Sequence, residues 1–133
     1  MIKIRLAGAL LFLCLATFSL QAKDPPAPDL SGSWSGLWIS DGSGHQGPMR
    51  ATFQPAGDGS YDVLFTGRFF KVFPFRYRAN LAVTGKEGNK IKLEGSKRLP
   101  GFGVFTFKAL ADEKSFRAEY SSRKDNGRFE FDR

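Results

Sequence analysis

Apolar and polar residues alternate along most of the chain after residue 30, and this period of two constrains the fold more than any other feature. Successive side chains of a β-strand point to opposite faces of a sheet, so alternation predicts strands with one apolar and one polar face. Helical periodicity is nearly absent. We therefore predict an all-β protein with eight candidate strands, at 33–40, 49–54, 61–66, 75–84, 91–94, 105–109, 116–120 and 128–132.

Short turn signals separate these segments. They are rich in Gly, Asp and Asn, residues that suit tight hairpins between antiparallel neighbours, and they lie at 41–44, 56–59, 85–89, 112–114 and 124–127. Connections this brief leave no room for crossovers, so the sheet is expected to be a meander. Eight meandering strands bury one face by closing into a barrel, and a two-sheet sandwich is the alternative.

An outer-membrane barrel is another way to use alternating strands, with the aromatic residues facing lipid. Such strands need about 9–11 residues each, whereas most alternating stretches here span five to eight residues. The chain has no long outer loops and ends in Phe131-Asp132-Arg133 rather than in an aromatic residue. We therefore favour a barrel whose aromatic residues face inward.

The first 22 residues have the three parts of a secretory signal peptide. Lys3 and Arg5 precede an apolar run of 15 residues at 6–20, and Ala22 stands before a polar break. The run is shorter than the roughly 20 residues of a membrane-spanning helix, although an uncleaved anchor is the alternative. We expect cleavage after Ala22 and a periplasmic or secreted product, with a flexible proline-rich lead (23–30) before one barrel domain (31–133).

The chain's one cysteine, Cys14, lies inside that apolar run. A lipoprotein signal needs a small residue directly before the lipidated cysteine, and Leu13 is not small. Lipidation is therefore not expected. A mature chain without a thiol has no disulfide and no cysteine-based metal site.

Charge narrows the class of partner. Removal of Lys3 and Arg5 with the signal lowers the formal net charge from +7 to +5 and leaves 111 of the 133 residues, enough for one domain. A basic exported domain favours an anionic amphiphile, a glycan or a membrane surface over nucleic acid. A basic surface that serves solubility alone is the alternative.

The first predicted strand opens with Gly32-Ser33-Trp34-Ser35-Gly36, which resembles the Gly-x-Trp signature of the calycin group of lipocalins, fatty-acid-binding proteins and avidins. The resemblance implies a small barrel in which the tryptophan packs under an arginine from the last strand. Arg133 and Arg128 are the candidates, and Arg133 shares strand parity with the apolar residues there. The chain also resembles small secreted bacterial proteins, which implies export and assigns no activity.

The chain departs from two branches of the calycin group. Lipocalins carry a helix late in the chain, and no helical segment follows the strands here. Avidins hold biotin with an asparagine two residues after the tryptophan, and Gly36 occupies that position. We therefore transfer no ligand residues from either branch.

The aromatic content bears on the lumen of the barrel. Of the fourteen Phe, Phe12 and Phe18 lie in the predicted signal, and most of the others have inward parity. An eight-stranded barrel is just wide enough for side chains or one small ligand. We expect a largely filled lumen, with any ligand bound at a mouth.

The densest candidate ligand-binding segment is 68–78, which joins the third and fourth predicted strands and interleaves four cations with five aromatic residues. Such segments are typical of surfaces that meet an amphiphile, a glycan or a membrane. The alternative is a lid, in which Phe69 and Phe73 fold over one barrel end. The candidate ligand-binding residues here are Phe69, Phe70, Lys71, Phe73 and Arg76.

Trp38 and His45 complete the candidate site. Trp38 lies on the same strand face as Trp34 and either packs against the barrel end or stacks on a ligand. His45, the one histidine, lies in a glycine-rich loop near Asp41 and Ser43, but nothing in the spacing enforces a catalytic arrangement. One imidazole without thiols is a poor metal site. We predict no catalytic residue, no metal and no cofactor.

Together these patterns predict an exported, non-catalytic binding or envelope-associated module that recognises a small amphiphile, a glycan or an anionic polymer at a barrel mouth. A structural or interaction protein with a filled barrel is the alternative. An enzyme that uses His45 and Asp41 is a further, less favoured one.

Overall fold

The computed structural model describes residues 26–133. The predicted signal peptide, Cys14 and the first residues of the predicted lead lie outside the described residues. The described chain forms eight strands: β1 (Gly32–Ser40), β2 (Gln46–Ala56), β3 (Ser60–Phe69), β4 (Phe73–Glu87), β5 (Lys90–Leu99), β6 (Gly103–Ala111), β7 (Ser115–Ser121) and β8 (Asn126–Asp132). Each predicted strand lies within one of these, and every observed strand is longer than its prediction.

The strands follow one another around a closed barrel in chain order, each antiparallel to its neighbours. β8 pairs with β1 and closes the ring, from Ser35 opposite Asp132 to Ser40 opposite Gly127. The predicted eight-stranded antiparallel meander is confirmed. The alternative of a two-sheet sandwich is wrong, because β1 and β8 are hydrogen-bonded to each other rather than left as edges.

The apolar residues of the alternating pattern face the barrel interior. Val83 is an exception, since the register between β4 and β5 shifts between Val83 and Gly85 and the irregularity leaves the Val83 side chain exposed. Charged residues lie on the outer face, the reverse of the outward apolar band of a transmembrane barrel. The largest fully buried side chains include Trp34, Phe53, Phe65, Phe107, Phe116 and Phe131.

One end of the barrel, here called the closed end, is filled by aromatic rings around Trp34. The Trp34 ring packs against Phe53 and Phe116 at centroid distances of 5.8 and 6.4 Å. Its indole N–H donates a hydrogen bond to the Leu30 carbonyl at 2.9 Å. Leu30 is itself fully buried, so the packed part of the chain begins within the segment predicted to be a flexible lead.

Arg133 covers Trp34 from the C-terminal end of the chain. Its guanidinium carbon lies 4.3 Å from the centroid of the Trp34 ring. Its N–H groups also donate to backbone carbonyls of the segment before β1 and of the β6–β7 loop. Arg128, the other candidate, pairs instead with acidic side chains on the outer face. Arg133 therefore joins the C-terminal residue of the barrel domain to the segment with which the domain begins, both at the closed end.

Candidate functional site at the barrel mouth

The opposite end of the barrel, here called the mouth, is surrounded by four loops: β1–β2 (41–45), β3–β4 (70–72), β5–β6 (100–102) and β7–β8 (122–125). Within the described chain, β4 and β5 pair only through residues 82–87 and 90–94, so these strands are unpaired toward the mouth. The β3–β4 and β5–β6 hairpins stay paired to their tips. They therefore extend beyond the paired barrel as two arms.

A cavity of about 380 Å³, here called the mouth cavity, lies between the arms and the neighbouring ends of β1, β7 and β8. Small-molecule sites typically measure about 300–1,000 Å³ and have an apolar lining with a few polar groups. The lumen beneath it is filled, with Phe65 centred 6.1 Å from Phe107 and 5.5 Å from Phe129. The apolar lining of the cavity includes Trp38, Met49, Phe69, Phe75, Leu99, Phe102 and Phe105.

Trp38 is fixed in the wall of this cavity. Its ring meets Phe69 edge-on at a centroid distance of 5.3 Å, and its indole N–H donates to the Arg68 carbonyl at 3.1 Å. A Cβ atom on Gly47, the residue opposite in β2, would lie 2.7 Å from the indole nitrogen. The glycine therefore leaves the room that the indole occupies. Trp38 both packs against the barrel end and lines the cavity.

Phe69 connects the two arms. Its ring lies 4.5 Å from that of Phe75 on β4 and 6.4 Å from that of Phe102 on the β5–β6 loop, centroid to centroid. Aromatic pairs at these distances are attractive beyond their simple burial. The lid alternative predicted that Phe69 and Phe73 fold over the barrel end. Phe69 does pack against the core, whereas Phe73 is exposed.

Tyr77 brings a polar atom into the apolar lining. Its hydroxyl makes no hydrogen bond to the residues that the structure describes. No fully buried side-chain oxygen in that part of the chain lacks a partner, so the hydroxyl retains access to the cavity. Burial raises the pKa of Tyr77 well above its usual value, and the nearby Tyr120 raises it further. At neutral pH the cavity therefore contains an uncharged donor that a ligand could engage.

Tyr120 and Asp125 form a fixed polar pair at the edge of the cavity. The Tyr120 hydroxyl donates to Asp125 Oδ2 at 2.9 Å, and the buried Ser40 hydroxyl donates to Asp125 Oδ1 at 2.6 Å. Burial, together with the bonded Asp125 carboxylate, raises the pKa of Tyr120. Tyr120 therefore stays protonated, and Asp125 anchors the β7–β8 loop to the end of β1.

A surface groove of about 430 Å³ continues from the mouth cavity, and Trp38, Phe69, Phe102 and Asp125 border both spaces. The groove is also lined by His45, Phe70 and Phe73. The His45 and Phe70 rings meet edge-on at a centroid distance of 5.1 Å. The predicted site residues therefore occupy two adjoining spaces rather than one pocket.

Lys71 and Arg76 stand apart from the other predicted site residues. Arg76 borders the mouth cavity from an exposed position between two inward-facing residues of β4. Lys71 lines neither the cavity nor the groove and is exposed at the tip of the first arm. Of the two, only Arg76 is placed to contact a ligand in the cavity.

The tip of the first arm is a strained two-residue turn. Phe70 and Lys71 have φ angles of +52° and +65°, and the Val72 N–H donates to the Phe69 carbonyl at 3.2 Å. These are features of a type I′ turn, which favours Asn-Gly. The left-handed conformation costs roughly 1–2 kcal/mol for each residue with a Cβ atom. The turn is confined to residues 70–72. The rest of 68–78, which was expected to join two strands, belongs to β3 and β4.

Several residues of the mouth were not predicted from the sequence. Tyr77, Tyr120 and Phe102 line the mouth cavity but are not among the ligand-binding residues predicted from the sequence. Leu99-Pro100-Gly101-Phe102 forms a tight turn, with the Phe102 N–H bonded to the Leu99 carbonyl at 3.0 Å. A large aromatic residue after Pro-Gly was a visible signal for a second exposed tip. Nothing in the sequence pairs Asp125 with Ser40.

The residues of the alternative catalytic arrangement bind other partners. The Asp41 carboxylate pairs with Arg128 at 3.1 Å, and the Ser43 hydroxyl lies 2.9 Å from that of Ser40. Within residues 26–133, neither side chain is hydrogen-bonded to the His45 imidazole. His45 donates its backbone N–H to the Ser43 hydroxyl at 3.3 Å, and its ring packs on Phe70. The geometry of the loop therefore does not form a triad.

Comparison with protein-family models, with curated proteins and with solved structures finds no match for this chain. In the part of the chain that the structure describes, no three His, Cys, Asp or Glu side chains are grouped as metal ligands. No helix of that part has the length and apolar character needed to cross a membrane.

Proposed function

We propose that this protein is an exported, non-catalytic binding module that takes a small anionic amphiphile at its mouth, with the apolar part of the ligand in the mouth cavity. The observation that carries this proposal is an open aromatic-lined cavity that contains the unpartnered Tyr77 hydroxyl. The Gly-x-Trp opening and the stack of Arg133 on Trp34 support a place in the calycin group. The signal-like start supports export.

Apolar contact supplies most of the affinity in this proposal. Burial of apolar surface yields about 25 cal/mol per Å², so a ligand that buries about 150 Å² in the cavity gains about 4 kcal/mol before the costs of association. The lining is held by ring contacts around Phe69 and by the Trp38 hydrogen bond. A preformed lining reduces the ordering cost of binding.

Polar groups at the cavity favour an anionic head group. Lys124 borders the cavity, and its ammonium donates to the Gly101 carbonyl at 2.8 Å, which ties the β7–β8 loop to the second arm. Arg76 borders it on the side of β4. Asp125, the acidic residue of the lining, already accepts hydrogen bonds from Tyr120 and Ser40.

Tryptophan fluorescence provides a direct test, because Trp38 lines the cavity and Trp34 lies at the closed end. Titration with decyl sulfate below its micelle concentration should change the emission of the wild type saturably. Trp38→Phe, which retains Trp34, should lose that signal. Decyl glucoside should bind less tightly than decyl sulfate, and decyltrimethylammonium less tightly still.

A matched pair of leucine variants supplies the control. Leu99→Asp puts a charge into the cavity lining and should weaken decyl sulfate binding by about ten-fold or more. Leu110→Asp makes the same change at a half-buried outer position of β6 and should have little effect on binding. The proposal fails if decyl sulfate leaves the emission unchanged, or if both variants weaken binding equally.

A further inference from the structure

The tips of the two arms expose large apolar side chains. Phe70, Val72 and Phe73 on the first arm are 62–69% exposed, and Phe102 and Val104 on the second are 43–50% exposed. Clustered apolar exposure of this kind marks an interaction surface. The stacking of Phe69 on Phe102 holds the two tips side by side, so their apolar residues face solvent together.

The strained turn of the first arm is a second, independent observation. Phe70 and Lys71 keep positive φ angles at a turn where Asn-Gly would form without strain. Strained residues of this kind are concentrated at functional sites. The turn presents an aromatic ring and an ammonium to solvent at the outermost point of the arm.

Charge is divided between the two ends of the barrel. Each end is taken to comprise its loops and the two strand residues on either side of every loop. The closed end also includes the described segments before β1 and after β8, with the two strand residues next to each. The mouth end carries the cations Arg68, Lys71, Arg98, Arg123 and Lys124 against the acids Asp41 and Asp125. The closed end carries the acids Asp29, Asp58, Glu87, Asp112, Glu113 and Asp132 against the cations Lys86, Lys90, Lys114 and Arg133.

Both acidic side chains of the mouth end are paired with or hydrogen-bonded to neighbouring residues. Asp41 pairs with Arg128 at 3.1 Å, and Asp125 accepts hydrogen bonds from Tyr120 and Ser40. The surface around the exposed tips is therefore cationic, whereas the closed end has a net negative charge. A planar anionic surface would attract the mouth and repel the closed end.

We propose that the mouth docks on the surface of an anionic lipid bilayer. The apolar tips enter the boundary between head groups and acyl chains, and Lys71, Arg98 and Arg123 lie at the level of the anionic head groups. Two adjacent exposed hairpin tips fit a fluid interface better than they fit the flat face of a folded protein. This inference goes beyond amphiphile binding, because Val72 and Val104 line neither the mouth cavity nor the groove.

Co-sedimentation with vesicles tests the docking. The wild-type protein should sediment with vesicles of equal parts phosphatidylglycerol and phosphatidylcholine but not with phosphatidylcholine alone, and added salt should weaken the binding. Val72→Ser with Val104→Ser should lower the affinity about ten-fold. The matched pair Leu37→Ser with Val83→Ser removes exposed apolar groups from the outer wall and should change the affinity by less than about two-fold.

Charge and turn variants complete the design. Arg98→Gln with Arg123→Gln should weaken vesicle binding more than Arg50→Gln with Arg78→Gln, which removes the same charge from the outer wall. Phe70→Asn with Lys71→Gly should weaken vesicle binding while leaving the protein folded. The docking proposal is overturned if either control pair weakens binding as much as its mouth counterpart.

Two further outcomes separate this proposal from the proposed function. The valine pair should retain the Trp38 response to decyl sulfate, which would show that docking and cavity binding are distinct. A wild type that binds decyl sulfate but not anionic vesicles overturns docking and leaves cavity binding in place. Binding to soluble dextran sulfate that is as tight as vesicle binding, and insensitive to the valine pair, would identify a polymer partner and also overturn docking.

Discussion

A Cβ atom on Gly36 would lie 1.7 Å from the carbonyl oxygen of Glu130. Gly36 stands opposite Phe131 at the seam where β8 closes the barrel onto β1. The backbones approach so closely there that a hydrogen atom is the largest side chain that fits.

Gly36→Ala should therefore disrupt the seam. Because the added methyl group meets backbone rather than a mobile side chain, we expect a loss of about 3 kcal/mol or more in the free energy of unfolding. Thermal denaturation measures it as a fall in Tm of about 10 °C or more. Gly57→Ala is the control, since its Cβ would have no neighbour within 4 Å, and its Tm should stay close to that of the wild type.

Arg133→Ala should detach the C-terminus of the barrel domain from the segment before β1. The variant loses the contact with the Trp34 ring and the hydrogen bonds to backbone carbonyls before β1 and in the β6–β7 loop. We expect the free energy of unfolding in urea to fall by about 1–3 kcal/mol. Arg128→Ala removes exposed ion pairs and should cost less than about 1 kcal/mol. Equal losses in the two variants would contradict the role given to Arg133.

Relief of the strained turn should raise the free energy of unfolding, whereas the two variants above lower it. Phe70→Asn with Lys71→Gly replaces two left-handed residues with the pair that a type I′ turn favours. The free energy of unfolding should rise by about 1–3 kcal/mol, seen as a higher Tm. An unchanged or lower Tm would show that the exposed Phe70 ring contributes more through its contact with His45 than the turn costs.

The raised pKa values of two tyrosines at the mouth lead us to expect a loss of stability in alkali. The pKa values of Tyr77 and Tyr120 in the folded protein lie above the ordinary value of about 10. Between about pH 10 and those raised values the unfolded chain releases protons that the folded chain keeps. The contribution of the two tyrosines to stability is therefore constant below about pH 10 and falls above it. Tm measured from about pH 8 to pH 11 should follow this course, and the double variant Tyr77→Phe with Tyr120→Phe should show a shallower fall. An equally steep fall in the double variant would contradict the assignment.

Alternation was sufficient to predict the eight strands. Together with the short turns it favoured a closed barrel, but it left a two-sheet sandwich open, because two packed sheets also bury one apolar face of every strand. The calycin resemblance implied an arginine over Trp34, and strand parity then correctly selected Arg133 rather than Arg128. Alternation could not predict the exposure of Val83, because a bulge depends on how two strands pair rather than on either strand alone.

The candidate site was predicted only in part, because it too depends on how strands pair and not only on the pattern of each strand. The mouth cavity lies beside β4 and β5, which pair over only part of their length. The pattern of one strand does not specify where its pairing ends. The hydrogen bond from Ser40 to Asp125 joins residues that lie far apart in the sequence. The dense aromatic segment did indicate the first arm, but the composition of 68–78 was uninformative about which rings point inward.

NMR of the two indole N–H groups gives the sharpest test of whether the mouth cavity binds a small anionic amphiphile. The Trp38 N–H lies at the mouth and donates to the Arg68 carbonyl, whereas the Trp34 N–H lies at the closed end and donates to the Leu30 carbonyl. During titration with decyl sulfate, the Trp38 signal should shift saturably while the Trp34 signal stays in place. Two unmoved signals, or a Trp34 signal that shifts as much as that of Trp38, would show that decyl sulfate does not bind specifically in the mouth cavity.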